Sequence, residues 1–527
     1  MDSEKKYLIL LLLFSFIIRA VYSNTAWGWN EEGYIILIRE FVKNTSYFFT
    51  QESTKIMLVS PLFYIVESPF FLFYNNFVSM HIFSAFMGTV AVFLCFKLGK
   101  LFFNAKTGLI FAFIISVFPV HWMISRHVTP ENISIPLIML SITLFLKHKK
   151  PFFTGFLLGL AVLFRYESAL LFPLFLVYSI KPRKKAALLI LGFLIPLLFL
   201  AFFSLVFHGM FIPSELYLRI VRNSLTENIS YDYEYSLLQV LILLFFYTAC
   251  FSLPLIPVFF GRISLKKIIF MALAVLCFYI LIKVSGLIVR PSLSDFGFPE
   301  IVSNVIYSLL ASAGFFVFYR IVDSLFKRKN VLLCSWFLAF NFLWFIFMRT
   351  YTIQPRYLIL ASFPVLLMGA SGVKKLPVFL LLAFILYFIP GLFLNQWASS
   401  SWNTMYSVAS YLKDNSDPSD QIIFYPTGGV YEKVYFDPAP FIAVRPQYYS
   451  EWDSYRTSIK YAVFDTANFY LINPEIRDFL TQKPELLEKT FNVNVFGLNA
   501  DTIFVYKTQN ITLPSASAKD FVSDYFV

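Results

Sequence analysis

Lys181-Pro182-Arg183-Lys184-Lys185 is followed by Ala186-Ala187-Leu188-Leu189-Ile190-Leu191-Gly192-Phe193 and a continuation to Phe207 with no ionisable side chain. Crossing about 30 Å of hydrocarbon takes roughly 20 apolar residues, and a basic cluster at one end marks a cytoplasmic boundary. The same pattern repeats in both directions. Apolar runs recur through residues 1–394, and basic clusters stand at every second boundary: Lys5/Lys6, Lys97/Lys100/Lys106, Lys147/Lys149/Lys150, Arg262/Lys266/Lys267, Arg320/Lys327/Arg328/Lys329 and Lys374/Lys375. The 527 residues are 58% hydrophobic and only 14% charged, whereas soluble domains carry about 25% charge. No water-soluble core of this size could hide 66 Phe and 31 Tyr. The chain reads as a polytopic α-helical membrane protein.

The formal net charge of +12 does not point to nucleic acid. The basic clusters hold about half of the Lys and Arg with few acids among them, which leaves the rest of the chain acidic. By the positive-inside rule the clusters are cytoplasmic. This predicts about thirteen transmembrane helices in a multi-pass protein of the cell membrane, N-terminus cytoplasmic and C-terminus outside. The first run, Tyr7 to Val21, could pass for a signal peptide. No small-residue cleavage site follows, and Trp27 and Trp29 stand where an interface anchor belongs, so it reads as a retained span. Cys95, Cys250, Cys277 and Cys334 each lie in an apolar run and read as buried hydrophobes, not as a disulfide framework. Residues 395–527 are polar and mixed. Strand-like runs at Gln421–Tyr425, Tyr461–Phe464 and Thr502–Tyr506, with turns at Asp417-Pro418 and Gly428-Gly429, predict a small extracytoplasmic α/β domain after a transmembrane domain of residues 1–394.

Ionisable groups at membrane depth are expensive, so their placement is informative. Four clusters fall on the predicted outer side. Trp27-Gly28-Trp29-Asn30-Glu31-Glu32-Gly33-Tyr34 puts two adjacent carboxylates before a stretch with apolar residues at 34, 37, 38, 41 and 42, a helix lying on the outer leaflet. The pair could be an N-terminal acidic cap or could do chemistry. Ser125-Arg126-His127-Val128-Thr129-Pro130-Glu131-Asn132 is a tight turn that could be a paired knot or could present cations to an anion. Arg165-Tyr166-Glu167 is a polar break between short apolar runs, where Arg165 and Glu167 could simply pair. Arg349-Thr350-Tyr351-Thr352-Ile353-Gln354-Pro355-Arg356-Tyr357 is the last outer turn. Arginine suits phosphate because its fork offers two parallel hydrogen bonds, although single interface arginines more often snorkel. Taken together, carboxylates and arginines at one membrane level fit an enzyme that uses a lipid-linked, phosphate-bearing substrate, and predict one cavity opening to the outer leaflet.

The order of these features resembles the GT-C superfamily of polyprenyl-phosphate-sugar glycosyltransferases, which includes protein O-mannosyltransferases and aminoarabinose transferases. The matching pieces are Glu31-Glu32-Gly33-Tyr34, Ser60-Pro61-Leu62-Phe63-Tyr64, Ser125-Arg126 with Pro130-Glu131, Gly155 through Arg165, and Gln354-Pro355-Arg356-Tyr357. Where the family usually begins its first pair with Asp, this chain has Glu31, whose carboxylate sits one methylene further out. The Trp-Trp-Asp-Tyr-Gly signature of oligosaccharyltransferases is absent from the sequence. The resemblance implies transfer of a sugar from a polyprenyl (dolichyl or undecaprenyl) phosphate to an acceptor hydroxyl on a protein, lipid or glycan, with inversion. It implies Glu31 or Glu32 as general base, and Arg165 and Arg356, with Arg126 and His127, as phosphate ligands. Glu131, Tyr34 and Tyr357 would orient sugar or acceptor. No cofactor is implied, and a divalent metal, though compatible, is not indicated. Partners would be the lipid-linked sugar, its acceptor and membrane lipids, with no nucleic acid. Two other readings remain: a lipid-linked sugar flippase, which would spread polar residues across the membrane depth, and a non-catalytic glycan-binding relative.

Overall fold

The computed structural model describes residues 3–25, 31–50, 53, 59–74, 77–147, 150–179, 183–211, 236–261, 264–287, 299–347, 358–417, 419–424, 442–444, 459–465, 474–509 and 511. Its helices in chain order are α1 (Ser3–Ala20), α2 (Glu31–Lys43), α3 (Pro61–Tyr74), α4 (Phe77–Phe102), α5 (Ala105–Val117), α6 (Pro119–Ile124) and α7 (Glu131–Leu146). They continue with α8 (Pro151–Phe164), α9 (Leu171–Ser179), α10 (Arg183–His208), α11 (Leu237–Ser252), α12 (Ile256–Phe260), α13 (Leu265–Ser285) and α14 (Glu300–Phe326). The last are α15 (Val331–Phe347), α16 (Ile359–Ser371), α17 (Leu376–Ala383), α18 (Ile389–Asn415) and α19 (Pro474–Gln482). The chain forms two compact units. The first gathers Met1–Val21, Thr45–Val66 and Ile82–Gly391, and the second Tyr22–Asn44, Glu67–His81 and Leu392–Val527.

Membrane character is written on the helix surfaces. Among the described residues, six helical stretches are long and apolar enough to cross a bilayer: Phe77–Phe102, Arg183–His208, Leu237–Phe260, Leu265–Ser285, Glu300–Phe326 and Leu376–Asn415. Seven further apolar helices are shorter, at 10–17 residues. On α10 the side chains of Leu198, Phe199 and Phe202 are all more than 60% exposed. On α13 only Phe278 and Ile282 are buried. Continuous apolar faces of this kind are costly in water and favoured in lipid.

Within the first unit, close backbone approach fixes how α8 lies along α10. A Cβ on Gly155 would collide with the carbonyl of Leu189, and one on Gly192 with the carbonyl of Phe152. A Cβ on Gly159 would come within 2.5 Å of the Phe193 carbonyl oxygen. Small residues four apart let two apolar helices touch through their backbones, where dispersion replaces the missing hydrophobic drive. Phe172 and Phe193 stack beside this contact with ring centroids 3.9 Å apart. Proline begins α8 at Pro151, where a missing N–H costs nothing. Prolines 254 and 257 interrupt the stretch from α11 to α12 through a short 3-10 turn.

In the second unit, α2 buries Tyr34, Ile35, Leu37, Ile38 and Phe41, and Glu40 and Lys43 stay exposed. The apolar stripe read from the sequence as facing the outer leaflet is therefore covered by protein. The sheet contains β1 (Gln421–Phe424), β2 (Ile442–Val444), β3 (Ile459–Asp465), β4 (Leu487–Val495) and β5 (Leu498–Lys507) in the order β2-β1-β3-β5-β4. Strand β1 runs parallel to β2 and β3, and β5 runs antiparallel to β3 and β4. Of the three strands expected from the sequence, Tyr461–Phe464 and Thr502–Tyr506 lie within β3 and β5, and the first forms β1 over Gln421–Phe424, with Tyr425 outside the described residues. The hairpin partner β4 was not anticipated, and Gly428-Gly429 lies outside the described residues. Phe496 and Gly497 both have positive φ. They form the two-residue turn of the β4–β5 hairpin, whose twist matches the strands. Alternate residues Tyr461, Val463, Ile503 and Val505 are buried, as are Ala462 and Phe464 on the other face. A sheet buried on both faces reads as a continuous apolar run.

Lys460 at the start of β3 donates to Asp420 Oδ2 at 2.6 Å. Partial burial works against the Asp420 carboxylate, but hydrogen bonds from Lys460 and from the Asp417 backbone outweigh it and hold the group below its ordinary value. A lowered carboxylate stabilises the fold above its unfolded value and loses that contribution as pH falls through the folded one. Asp420→Asn is therefore expected to cost about 1 kcal/mol at neutral pH and nothing once the parent carboxyl is protonated, read from urea unfolding at two pH values. Gly192→Leu is expected to separate α8 from α10 and cost about 3 kcal/mol or more, read as a lower melting temperature in detergent.

Candidate functional site

Glu31 is the first residue of α2 and is fully buried. The sequence left capping and chemistry open, and the position fits an acid favoured by the helix dipole. Its carboxylate also meets a partner that the sequence did not single out. His81, in the first turns of α4, has Nε2 2.6 Å from Glu31 Oε1 and Nδ1 2.6 Å from the backbone oxygen of Ser23. A carbonyl can only accept, so Nδ1 carries a proton and Nε2 is the nitrogen that faces the carboxylate. At 2.6 Å the ring nitrogen and the carboxylate oxygen are in close hydrogen-bonding contact. Both side chains are fully buried.

A third ionisable group completes this part of the second unit. Glu67 of α3 is fully buried, and its burial, followed by the negative charge of Glu31, pushes the carboxyl well above its ordinary range. Glu67 lies in the long outer connection read from residues 24–78, six positions after the Pro61 of the Ser60–Tyr64 motif. His81 and Glu67 were both missed because each sits inside an apolar run. A sequence signal did exist: a lone His and a lone Glu in stretches otherwise without charge. Tyr34 of α2 is buried at 3% exposure. The Glu32 side chain, Arg356 and Tyr357 lie outside the described residues.

In the first unit a different network positions the turn at 125–132. Arg19 of α1 is fully buried and spends its donors on nearby groups. Its Nε donates to Ser125 Oγ at 2.5 Å, and Nη1 to the Ser15 carbonyl at 2.9 Å and Ser15 Oγ at 2.8 Å. Nη2 reaches the Ile115 carbonyl at 3.3 Å and His121 Nδ1 at 2.9 Å. No donor is left for a phosphate, so this arginine is a structural tie. Gly88 makes room for it, since a Cβ there would press on the Ser125 side chain and come within 3.1 Å of Arg19 Nε. Beyond Ser125, the side chains of Arg126, His127, Glu131 and Asn132 are all buried. Asn132 Nδ2 donates back to the His127 carbonyl and closes the turn at the start of α7.

Arg165 caps the end of α8 in extended conformation and turns the chain into a 3-10 segment. Its Nη2 lies 2.6 Å from Glu167 Oε1 and 3.5 Å from Glu131 Oε1. The structure thus brings together two motifs that the sequence placed in separate turns. It also shows the Arg165–Glu167 pairing that the sequence allowed. Glu31 and Tyr34 belong to the second unit and Arg126, His127, Glu131 and Arg165 to the first.

Residues 60–208 match the family model described as dolichyl-phosphate-mannose-protein mannosyltransferase. That stretch is less than half of the chain, and it is similar to this family of sugar transferases. No curated protein matches its sequence. Among solved structures, the Archaeoglobus fulgidus oligosaccharyltransferase in the apo form is 14% identical, with 89% of this chain and 70% of that one covered and a TM-score of 0.49. ArnT from Cupriavidus metallidurans bound to undecaprenyl phosphate is 12% identical, with 95% and 98% covered and a TM-score of 0.40. Neither likeness carries a functional argument at that level.

Ser125→Ala leaves Arg19 Nε–H buried without its acceptor. The expected cost is about 1–3 kcal/mol, read as a lower melting temperature of the detergent-solubilised protein.

Proposed function

We propose that this protein transfers a sugar from a polyprenyl phosphate to an acceptor hydroxyl on the extracytoplasmic side of the membrane, with inversion at the anomeric carbon. The observation that carries the reading is the buried Glu31 carboxylate, held at the start of α2 by His81, in a chain whose residues 60–208 match a sugar-transferase family model. The leaving group, a phosphate monoester, is already a weak base. The reaction needs a base for the acceptor proton and positive charge for the released phosphate.

Glu31 is assigned as the base. His81 fixes the orientation of its carboxylate through a nitrogen whose tautomer the Ser23 carbonyl sets. The acceptor oxygen attacks the anomeric carbon, its proton passes to Glu31, and the bond to the phosphate oxygen breaks with the electron pair leaving on phosphate. Glu32 is the supporting acid of the pair. Arg165, Arg356, Arg126 and His127 are assigned by the resemblance to the donor phosphate, and Glu131, Tyr34 and Tyr357 to orientation of sugar or acceptor. Arg165 already shares its charge with Glu167 and Glu131, so a phosphate there would compete with two carboxylates. That competition favours release of the product after transfer.

Glu31→Gln keeps the size of the side chain and removes its basicity. Membranes carrying it are expected to form product from lipid-linked sugar about 10²-fold more slowly or worse, measured as released polyprenyl phosphate. A parental rate would withdraw Glu31 from the chemistry. Mass analysis of lipids and glycans from cells with and without the gene identifies the sugar and its acceptor.

A further inference from the structure

The His81 ring is tied at both nitrogens, 2.6 Å from Glu31 Oε1 and 2.6 Å from the Ser23 carbonyl. A ring held only there can still tilt about the line joining its nitrogens, and packing must stop that tilt. Phe77 supplies the packing. It begins α4 one turn before His81, and the two rings meet edge to face with centroids 5.2 Å apart at 63°. Phe77 meets Trp402 of α18 in the same way, 5.6 Å apart at 75°. Edge-to-face pairs attract at separations of roughly 4.5–7 Å and favour this one orientation. Trp402 is buried, and Glu31, Phe77, His81 and Trp402 all belong to the second unit.

Helix α18 is itself held in rotation. Ala398, Trp402, Met405, Ala409 and Leu412 are all buried, and their spacing places them on one helix face. Thr404 Oγ1 reaches the Asn492 carbonyl at 3.5 Å, and the Tyr411 hydroxyl donates to Glu488 Oε1 at 3.2 Å. Both partners are on β4, so the C-terminal sheet sets the angle at which α18 presents Trp402. Nearer its start, Gln396 Oε1 accepts from the Tyr22 hydroxyl at 3.3 Å, and Tyr22 precedes the Ser23 that takes the His81 proton. One helix therefore reaches the imidazole twice, through the ring of Phe77 and through the segment that carries its acceptor. A tryptophan that merely filled space would need volume at position 402. One that acts through Phe77 needs a ring.

We propose that Trp402 is a positioning residue for the base: through Phe77 it holds the plane of the His81 ring, and with it the Glu31 oxygen that takes the acceptor proton. Trp402 touches no reacting atom in this scheme. It makes α18 the link between the C-terminal sheet and the chemistry assigned to Glu31. The effect on turnover rests on the transferase reading above. The positioning of the ring does not.

The test uses the full chain in detergent or proteoliposomes. Trp402→Phe and Trp402→Leu differ little in volume, but only the first keeps a ring; Trp402→Met, which fills more of the space, serves where the leucine variant does not fold. All three are expected to lower the melting temperature to a similar extent. The ringless variants are expected to lose about tenfold in kcat with the donor KM within about twofold of parental, and Trp402→Phe to stay within about threefold. Because Trp402 acts through Phe77, Trp402→Leu combined with Phe77→Leu is expected to be no slower than Phe77→Leu alone. Parental turnover without the ring, equal losses with and without it, or a double variant that multiplies the single losses would overturn the assignment.

A second readout needs no substrate. The chain has five histidines, so ring nitrogen signals of histidine-labelled protein can be assigned to His81 by their loss in His81→Gln. The parent is expected to show a single form protonated at Nδ1, and Trp402→Phe to match it. In Trp402→Leu or Trp402→Met the signals are expected to broaden or divide between two settings of the ring. Signals that stay as in the parent would end the positioning even if transfer is active. A parent that transfers no sugar from any lipid donor but shows the change would end the transferase reading and keep the positioning.

Discussion

A charged or polar group removed from water must be met by a partner, and in a chain this apolar that requirement organises nearly every polar side chain. The hydroxyls of Ser116, Thr143, Thr248, Ser252, Ser308 and Ser312 each donate to the carbonyl four residues back. They cost the helices little and ask nothing of a neighbour. His208, at the end of α10, places Nε2 2.8 Å from the Phe48 carbonyl and so ties a distant loop to a helix end. Arg19 carries the requirement furthest. It has no carboxylate partner, only oxygens and a ring nitrogen, so its charge is spread over neutral acceptors.

This explains why the functional candidates stand where they do. The turn that holds Arg126, His127 and Glu131 is fastened from behind by Ser125, which accepts from Arg19 and donates to the His121 carbonyl at 2.5 Å. The turn that holds Arg165 is fastened by the close glycine packing of α8 on α10. Rigid helices thereby deliver Arg165 and Glu131 to within 3.5 Å of each other, a precision that loops alone seldom supply. In the second unit the covered face of α2 does the same for Glu31, fixing its backbone so that the hydrogen bond to His81 sets the remaining freedom of the side chain.

Against this background Glu67 stands with other buried polar groups, such as Ser84 and Ser204, that make no side-chain hydrogen bond among the described residues. Arg19 and Glu67 make a useful contrast. Both are fully buried ionisable groups, yet one satisfies all of its hydrogen-bonding capacity and the other has no partner among the described residues. The first holds structure together, and the second is a buried acid that ties nothing down.

The sequence by itself determined the membrane class and the strand runs of the C-terminal sheet that begin at Gln421, Tyr461 and Thr502, and it singled out Glu31, Arg165 and Glu131 as candidates. It could do so because hydropathy periods and charge spacing are local properties that one chain displays without folding. The glycines at 155 and 159 were legible as a motif, but their purpose became clear only when α10 lay against them. His81 and Glu67 stood out only as a lone His and a lone Glu in apolar runs, for a related reason. An isolated His or Glu in an apolar run carries no information about partners fifty residues away in the chain, and only the tertiary structure decides whether its charge is paired, shared or left waiting.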